Sequence, residues 1–131
     1  PSDIVPNYTE LLGALQRLNP GLRVIFTVSP VRHWKDGAVN NQLSKSVLHI
    51  SIHELIRHHP NTLYFPAYEI FMDELRDYRF YAEDMCHPST QAVGYIRERL
   101  LNWALPAEQH ATLEANIKKF KQSCHRSLST L

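Results

Sequence analysis

The chain lacks both a charge excess and a long apolar run, and each absence removes a class of function. Its 131 residues carry 14 Lys and Arg against 13 Asp and Glu, for a net charge of +1. This balance predicts neither nucleic acid nor an anionic membrane surface as a partner. No apolar stretch approaches the roughly 20 residues that a membrane span needs, and no secretory pattern opens the chain.

Cysteine is also scarce, because the sequence contains only Cys86 and Cys124. Two cysteines do not build a disulfide framework, which favours a reducing compartment, and we expect a cytoplasmic protein. The hydrophobic fraction of 44% and the charged fraction of 21% are typical of one globular domain. Since Pro1 stands where an initiating methionine would, we expect residues 1–131 to be a single-domain fragment of a longer protein.

The order of apolar patterns predicts an α/β fold. Two β-branched runs, LRVIFTVSP (22–30) and TLYFP (62–66), predict parallel strands that are buried on both faces. Helices are predicted around them at 7–18, 40–59, 67–76, 88–103 and 106–122. The strands and the helix between them form a βαβ unit. Because open sheets generally have about 4–6 strands, we expect further strands of the sheet outside these residues.

Three helical details follow from spacing. Asn7 and Glu10 have the spacing of a capping box, which predicts the start of the first helix. In two later helices, apolar side chains recur at helical intervals and predict the buried faces. These residues are Leu43, Val47, Leu48, Ile50, Ile52 and Leu55 in the second helix, and Val93, Ile96, Leu100 and Trp103 in the fourth.

Three segments are expected at the edge of the sheet where parallel sheets bind ligands. They are SPVRHW (29–34) after the first strand, PAYE (66–69) after the second, and the later loop that ends in EDMCH (83–87). Asp84 precedes His87 by three residues, so its carboxylate can accept a hydrogen bond from the ring Nδ1–H and leave Nε2 free to take a proton. The spacing therefore makes His87 a candidate general base and Asp84 its orienting acid. A capping histidine beside a surface aspartate fits the same spacing.

The first of these segments offers candidate substrate contacts. Arg32 could bind an anionic or carbonyl oxygen, with His33 beside it, and Trp34 could form an apolar wall. An exposed loop with a tryptophan packed over the sheet edge explains the same residues. The aromatic segment YEIFMDELRDYRFY (68–81) also has two interpretations. It could form a binding groove, but the helical spacing of Tyr68, Phe71 and Leu75 favours core packing.

Metal-binding patterns are weak, and we expect neither a metal nor a cofactor. The segment HELIRHH (53–59) falls one residue short of H-E-x-x-H, since Arg57 stands four residues after His53. His58 is about 140° around the helix from His53, so the two cannot share one metal ion. A metal hydrolase that uses Asp84, His87 and another histidine is a further alternative.

Three segments resemble the C-terminal half of the GSCFA domain family: FTVSPVRHWKDG, NNQLSKSVLHISIHEL and LYFPAYEIFMDELRDYRFYAEDMCHPS. That family is similar to the SGNH (GDSL-like) hydrolases. The resemblance covers most of residues 1–100. It implies the C-terminal part of a three-layer α/β/α, flavodoxin-like parallel sheet in residues 1–104, followed by a C-terminal helix in 105–131. SGNH enzymes carry a D-x-x-H block after the last strand, which implies that Asp84 and His87 belong to a Ser-His-Asp triad for ester hydrolysis or acyl transfer.

Other blocks of the family do not occur in these residues. The Gly-Ser-Cys-Phe-Ala motif with its serine is absent, as are the Gly and Asn blocks that donate to the oxyanion hole. The resemblance therefore implies that the chain alone is inactive and that the missing N-terminal half of the domain is its partner. The implied substrate is a small-molecule or carbohydrate ester. The alternative is a non-catalytic binding module on the same scaffold.

Overall fold

The computed structural model of the chain describes residues 1–124 and has the predicted mixed α/β character, with helix predominating. Its main elements are α1 (Ile4–Leu18), β1 (Val24–Phe26), α2 (Gly37–His58), β2 (Thr62–Tyr64), α3 (Ala67–Glu69), α4 (Thr90–Ala104) and α5 (Ala107–Cys124). A π-helical turn, Ile70–Leu75, continues α3, and short 3₁₀ turns lie at Trp34–Asp36 and Tyr78–Phe80.

The two strands pair in parallel, which confirms the predicted βαβ unit. Val24 lies opposite Thr62 and Phe26 opposite Tyr64. The pairing continues past the strand ends, where the Phe65 N–H donates to the Phe26 carbonyl at 2.8 Å. The loops that follow β1 and β2 therefore begin at the same edge of the sheet. Within the described residues, these two strands form one sheet. Two strands do not make up the three-layer α/β/α sheet that the family resemblance implies.

The predicted burial of β1 on both faces is wrong. Val28 is 1% exposed, whereas Ile25 is 45% exposed, and burial alternates along the run with period two. The covered face packs Phe26 against Tyr8 of α1, with ring centroids 5.7 Å apart. The opposite face is open within the described residues. A continuous apolar run therefore does not guarantee a second covering layer among the residues that the structure describes.

The predicted apolar stripe of α2 is also wrong in part. Ile52 and Leu55 are buried as expected, but Leu43 is 60% exposed. Asn41 and Lys45 occupy the buried face instead, each 4% exposed. Their polar atoms bind the backbone of the loop after β1, whose N–H and C=O groups need partners once they are covered.

Two predicted helix starts are displaced. Because α1 already begins at Ile4, Asn7 and Glu10 lie inside the helix and form no capping box. The fourth helix begins at Thr90 rather than Pro88, since Pro88 forms an isolated antiparallel bridge with Tyr81. The Ser89 hydroxyl accepts the Ala92 N–H at 3.3 Å, as in an N-cap.

The buried side of α4 also differs from the prediction, because Val93 is 53% exposed while Ala92 is fully buried. The first compact unit of the chain is Pro1–Ile96, and a second begins at Arg97. Residues 125–131 of the expected C-terminal segment lie outside the described residues. None of the described helices combines the length and the apolar character that crossing a bilayer requires.

Candidate functional site

The Asp84–His87 pair lies in a short loop that is closed by backbone hydrogen bonds. The Ala82 N–H donates to the His87 carbonyl at 2.7 Å, next to the bridge between Tyr81 and Pro88. The Met85 N–H donates to the Ala82 carbonyl at 3.0 Å, and Met85 adopts a left-handed conformation with φ of 58°. The backbone of this loop is therefore fixed at its ends and at its tip, although the side chains of Asp84 and His87 are exposed.

Both oxygens of the Asp84 carboxylate are engaged. Oδ1 accepts the backbone N–H groups of Cys86 and His87, each at 2.9 Å, and Oδ2 lies 2.6 Å from Nδ1 of the His87 ring. These bonds lower the pKa of Asp84 to about 2, with the His87 N–H as the largest cause, then the Cys86 N–H, then the His87 ring. The carboxylate is thus ionised and oriented at neutral pH.

The same contact fixes the tautomer of His87. An ionised carboxylate can only accept, so Nδ1 of the ring donates to Asp84 and Nε2 of the neutral ring holds the lone pair. No side chain in the described part of the molecule hydrogen-bonds to Nε2, and the His87 side chain is 63% exposed. The ring is therefore available to take a proton from an incoming group.

The structure brings Arg32 to this loop. Its backbone N–H donates to the Cys86 carbonyl at 3.4 Å, and its guanidinium lies 3.8 Å from the thioether of Met72. His33 and Trp34 follow Arg32 along the chain, and both are exposed. Within residues 1–124, no hydrogen bond joins either of their side chains to the Asp84–His87 pair. Arg32 is thus the predicted contact residue that the fold ties to the pair.

The sequence did not predict the role of Lys45 and Asn41. Both side chains extend from α2 and hydrogen-bond to the backbone of the loop after β1. The Lys45 ammonium donates to the Ser29 carbonyl at 2.6 Å, and the Asn41 Oδ1 accepts the His33 N–H at 3.0 Å. Burial lowers the pKa of Lys45, and the nearby charge of Arg32 lowers it further. In the sequence, these residues are recognisable only as two polar side chains four positions apart. That spacing is equally typical of a solvent-exposed helix face, so it did not predict burial.

The other histidine segment forms a surface pair. Nε2 of His58 lies 2.9 Å from the Glu54 carboxylate, which Arg57 also approaches at 3.4 Å. Within residues 1–124, no three His, Cys, Asp or Glu side chains are grouped so that they could hold a metal ion.

A comparison with family models identifies the chain. The model of the GSCFA family matches residues 1–100, which is most of the sequence. The chain therefore belongs to the GSCFA family. Neither the curated proteins nor the solved structures contain a match to it.

Proposed function

We propose that this GSCFA-family chain provides the general base and the orienting acid of a serine hydrolase of the SGNH type, acting on ester bonds. The observation that carries the proposal is the 2.6 Å contact between Asp84 Oδ2 and His87 Nδ1. It holds the ring in the tautomer that a triad histidine needs, with Nε2 unoccupied. The D-x-x-H spacing, which resembles the last SGNH block, supports the same role.

In the proposed reaction, Nε2 of His87 accepts the proton of a serine hydroxyl as its oxygen attacks the ester carbonyl. Asp84 stabilises the imidazolium that results. His87 then returns the proton to the departing alkoxide, which leaves an acyl-serine and an alcohol. Water attacks the acyl-serine in the same way, releasing the acid and restoring the serine.

The fold proposal follows from the same assignment. We propose that β1 and β2 continue a larger parallel sheet of three-layer α/β/α architecture, and that the serine comes from a part of that domain outside these residues. The half-exposed Ile25 supports this arrangement, because a covering layer would bury it. Lys45 and Asn41 would then position the loop that carries Arg32 beside the ester.

A non-catalytic binding module is the second candidate. The observation behind it is that the loop is open to solvent, since the His87 and Asp84 side chains are 63% and 50% exposed. Such a module would use the exposed loop to hold a ligand without a covalent step. The two candidates differ in whether a reactive serine exists in the complete gene product.

Labelling with a fluorophosphonate probe separates them. We expect the complete gene product to be labelled on one serine, and His87→Ala to slow the labelling about 10³-fold or more, because the serine loses its base. His58→Ala is the matched control, since it removes another exposed, carboxylate-paired histidine. The absence of labelling in the wild-type protein would favour the binding module. Equal labelling in wild type and His87→Ala would contradict the triad.

A further inference from the structure

A cavity of about 240 Å³ opens where the π-helical turn ends. It is lined by Phe71, Met72, Arg76, Asp77, Tyr78 and Tyr81. Phe71 forms the base, since it is 2% exposed and meets the Tyr81 ring edge to face at 4.8 Å. This volume is below the roughly 300–1,000 Å³ of sites for drug-sized ligands, so the cavity suits one small ring or group.

The rim carries an available cation at the end of the π-helical turn. Arg76 is the residue that ends this turn, with the left-handed conformation (φ of 40°) common at helix ends, and its N–H donates to the Phe71 carbonyl at 3.3 Å. Within the described residues, no ion-pair partner for its guanidinium is found. π-Helical turns such as Ile70–Leu75 are frequent at functional sites.

An exposed aromatic ring stands beside this cation. Tyr78 is 76% exposed, although its ring centroid lies only 6.2 Å from that of the partly covered Tyr81. The aromatic segment therefore divides into a buried part at Phe71 and an open part at Tyr78. An open tyrosine offers both an apolar face and a hydroxyl to a ligand.

The cavity is connected to the Asp84–His87 loop through Met72. The Met72 thioether contacts the Arg32 guanidinium at 3.8 Å and the Tyr81 hydroxyl at 3.9 Å. Arg32 also donates its backbone N–H to Cys86, inside the loop. A ligand in the cavity would thus lie next to the residues that flank His87.

We propose that this cavity is a subsite for one pyranose ring of a carbohydrate ester whose scissile bond lies at His87. This inference rests on the proposed function and narrows its substrate. A pyranose presents an apolar face of C–H groups, which fits the Tyr78 ring, and a hydroxylated edge, which fits the several donors of the Arg76 guanidinium.

The charges of the lining favour a polar occupant over an apolar chain. Asp77 is already engaged, because its carboxylate accepts the Arg79 N–H at 3.0 Å and lies 3.4 Å from the Arg79 guanidinium. A fatty acyl chain would remove water from the Arg76 guanidinium without offering it a hydrogen-bond acceptor. A polyhydroxylated ring offers acceptors to Arg76 and an apolar face to the aromatic surface.

The first test compares two substrates on the complete gene product. Methyl 6-O-acetyl-glucopyranoside contains the ring with its other hydroxyls free, whereas para-nitrophenyl acetate offers the same acyl group without a pyranose. We expect Tyr78→Ala to lower the ratio of kcat/KM for the sugar ester to that for the small ester about tenfold, mainly through KM. Tyr78→Phe should restore most of the ratio, because it keeps the ring.

Leu18→Ala, at another exposed apolar residue, is the control and should leave the ratio unchanged. An unchanged ratio in Tyr78→Ala would overturn the subsite. The result is distinct from a failure of the triad, which would appear as hydrolysis of para-nitrophenyl acetate that survives His87→Ala.

Binding is measured separately from turnover. In the His87→Ala protein, saturation-transfer NMR should detect contact between the protein and the ring protons of the intact methyl 6-O-acetyl-glucopyranoside. The double variant with Tyr78→Ala should lose most of that signal. Absence of saturation transfer in His87→Ala, or an equal signal in the double variant, would overturn the proposal whatever the catalytic outcome.

Discussion

Two exposed pairs of a histidine and a carboxylate lie within residues 1–124, and they resemble each other in composition and solvent exposure. In the loop, the His87 and Asp84 side chains are 63% and 50% exposed. On α2, the His58 and Glu54 side chains are 61% and 40% exposed. Exposure and residue type therefore do not separate a proposed catalytic pair from an ordinary surface pair.

The two pairs differ in what holds the carboxylate and in which ring nitrogen it occupies. Asp84 is fixed by two backbone N–H groups, whereas Glu54 is shared with the Arg57 guanidinium on the helix surface. Asp84 binds Nδ1 of His87, but Glu54 binds Nε2 of His58. A paired histidine is suited to base catalysis when its carboxylate is immobile and its outer nitrogen is free.

Asp84→Asn should produce the largest effect. The asparagine oxygen can still accept the backbone N–H groups of the loop, but its amide can then only donate to Nδ1 of His87. The proton would move to Nε2, and the ring would lose its capacity to act as a base. We expect kcat for para-nitrophenyl acetate on the complete gene product to fall about 10³-fold or more, with only a small loss of melting temperature at neutral pH.

The matched change in the helical pair is Glu54→Gln. It also replaces a histidine-bound carboxylate by an amide, but we expect kcat to remain within about twofold of wild type, because His58 has no part in the proposed reaction. A similar loss of kcat in Glu54→Gln and Asp84→Asn would show that the distinction between the pairs is wrong.

A smaller effect is expected on stability, where the difference in melting temperature between wild type and Asp84→Asn should depend on pH. The pKa of Asp84 is lowered from its ordinary value of 3.8 to about 2, so the folded state binds this proton less readily than the unfolded state. The stabilisation is therefore fully present above 3.8 and is lost as the pH falls through about 2.

Melting temperatures of wild type and Asp84→Asn across this pH window provide the measurement. The wild-type advantage should shrink steadily as the pH is lowered. Glu54→Gln, measured in parallel, controls for the removal of one surface carboxylate. Melting curves of wild type and Asp84→Asn that keep a constant separation down to pH 2 would contradict the role of the backbone N–H groups.

Local patterns were sufficient for the two strands, for the presence of the main helices and for the pair itself. The β-branched runs predicted both strands and their parallel pairing, because strand propensity and the intervening helix agree. The D-x-x-H spacing placed Asp84 and His87 together, since three residues can be spanned within one turn. These features depend on short stretches of chain, and the sequence contains them directly.

Features that depend on distant partners were not predictable in the same way. Lys45 is buried because the Ser29 carbonyl, sixteen residues earlier, needs a donor in the folded chain. Helical periodicity instead favoured Leu43, which is 60% exposed. A pattern reports which residues share a face, but the surroundings of that face are set by tertiary packing. The hydrogen bond between Arg32 and Cys86 is a further case, since it joins loops that are remote in sequence.

The smallest predicted effect concerns the turn that fixes Asp84. Met85 pays a steric cost of about 1–2 kcal/mol for its left-handed conformation, whereas glycine adopts it freely but loses about 0.5–1 kcal/mol more through chain entropy. Met85→Gly should therefore raise the free energy of unfolding by less than about 1 kcal/mol, as measured by urea denaturation. In the helical pair, Arg57→Gly should instead lower it by up to about 1 kcal/mol. Equal destabilisation at both positions would show that the loop does not depend on the conformation of Met85.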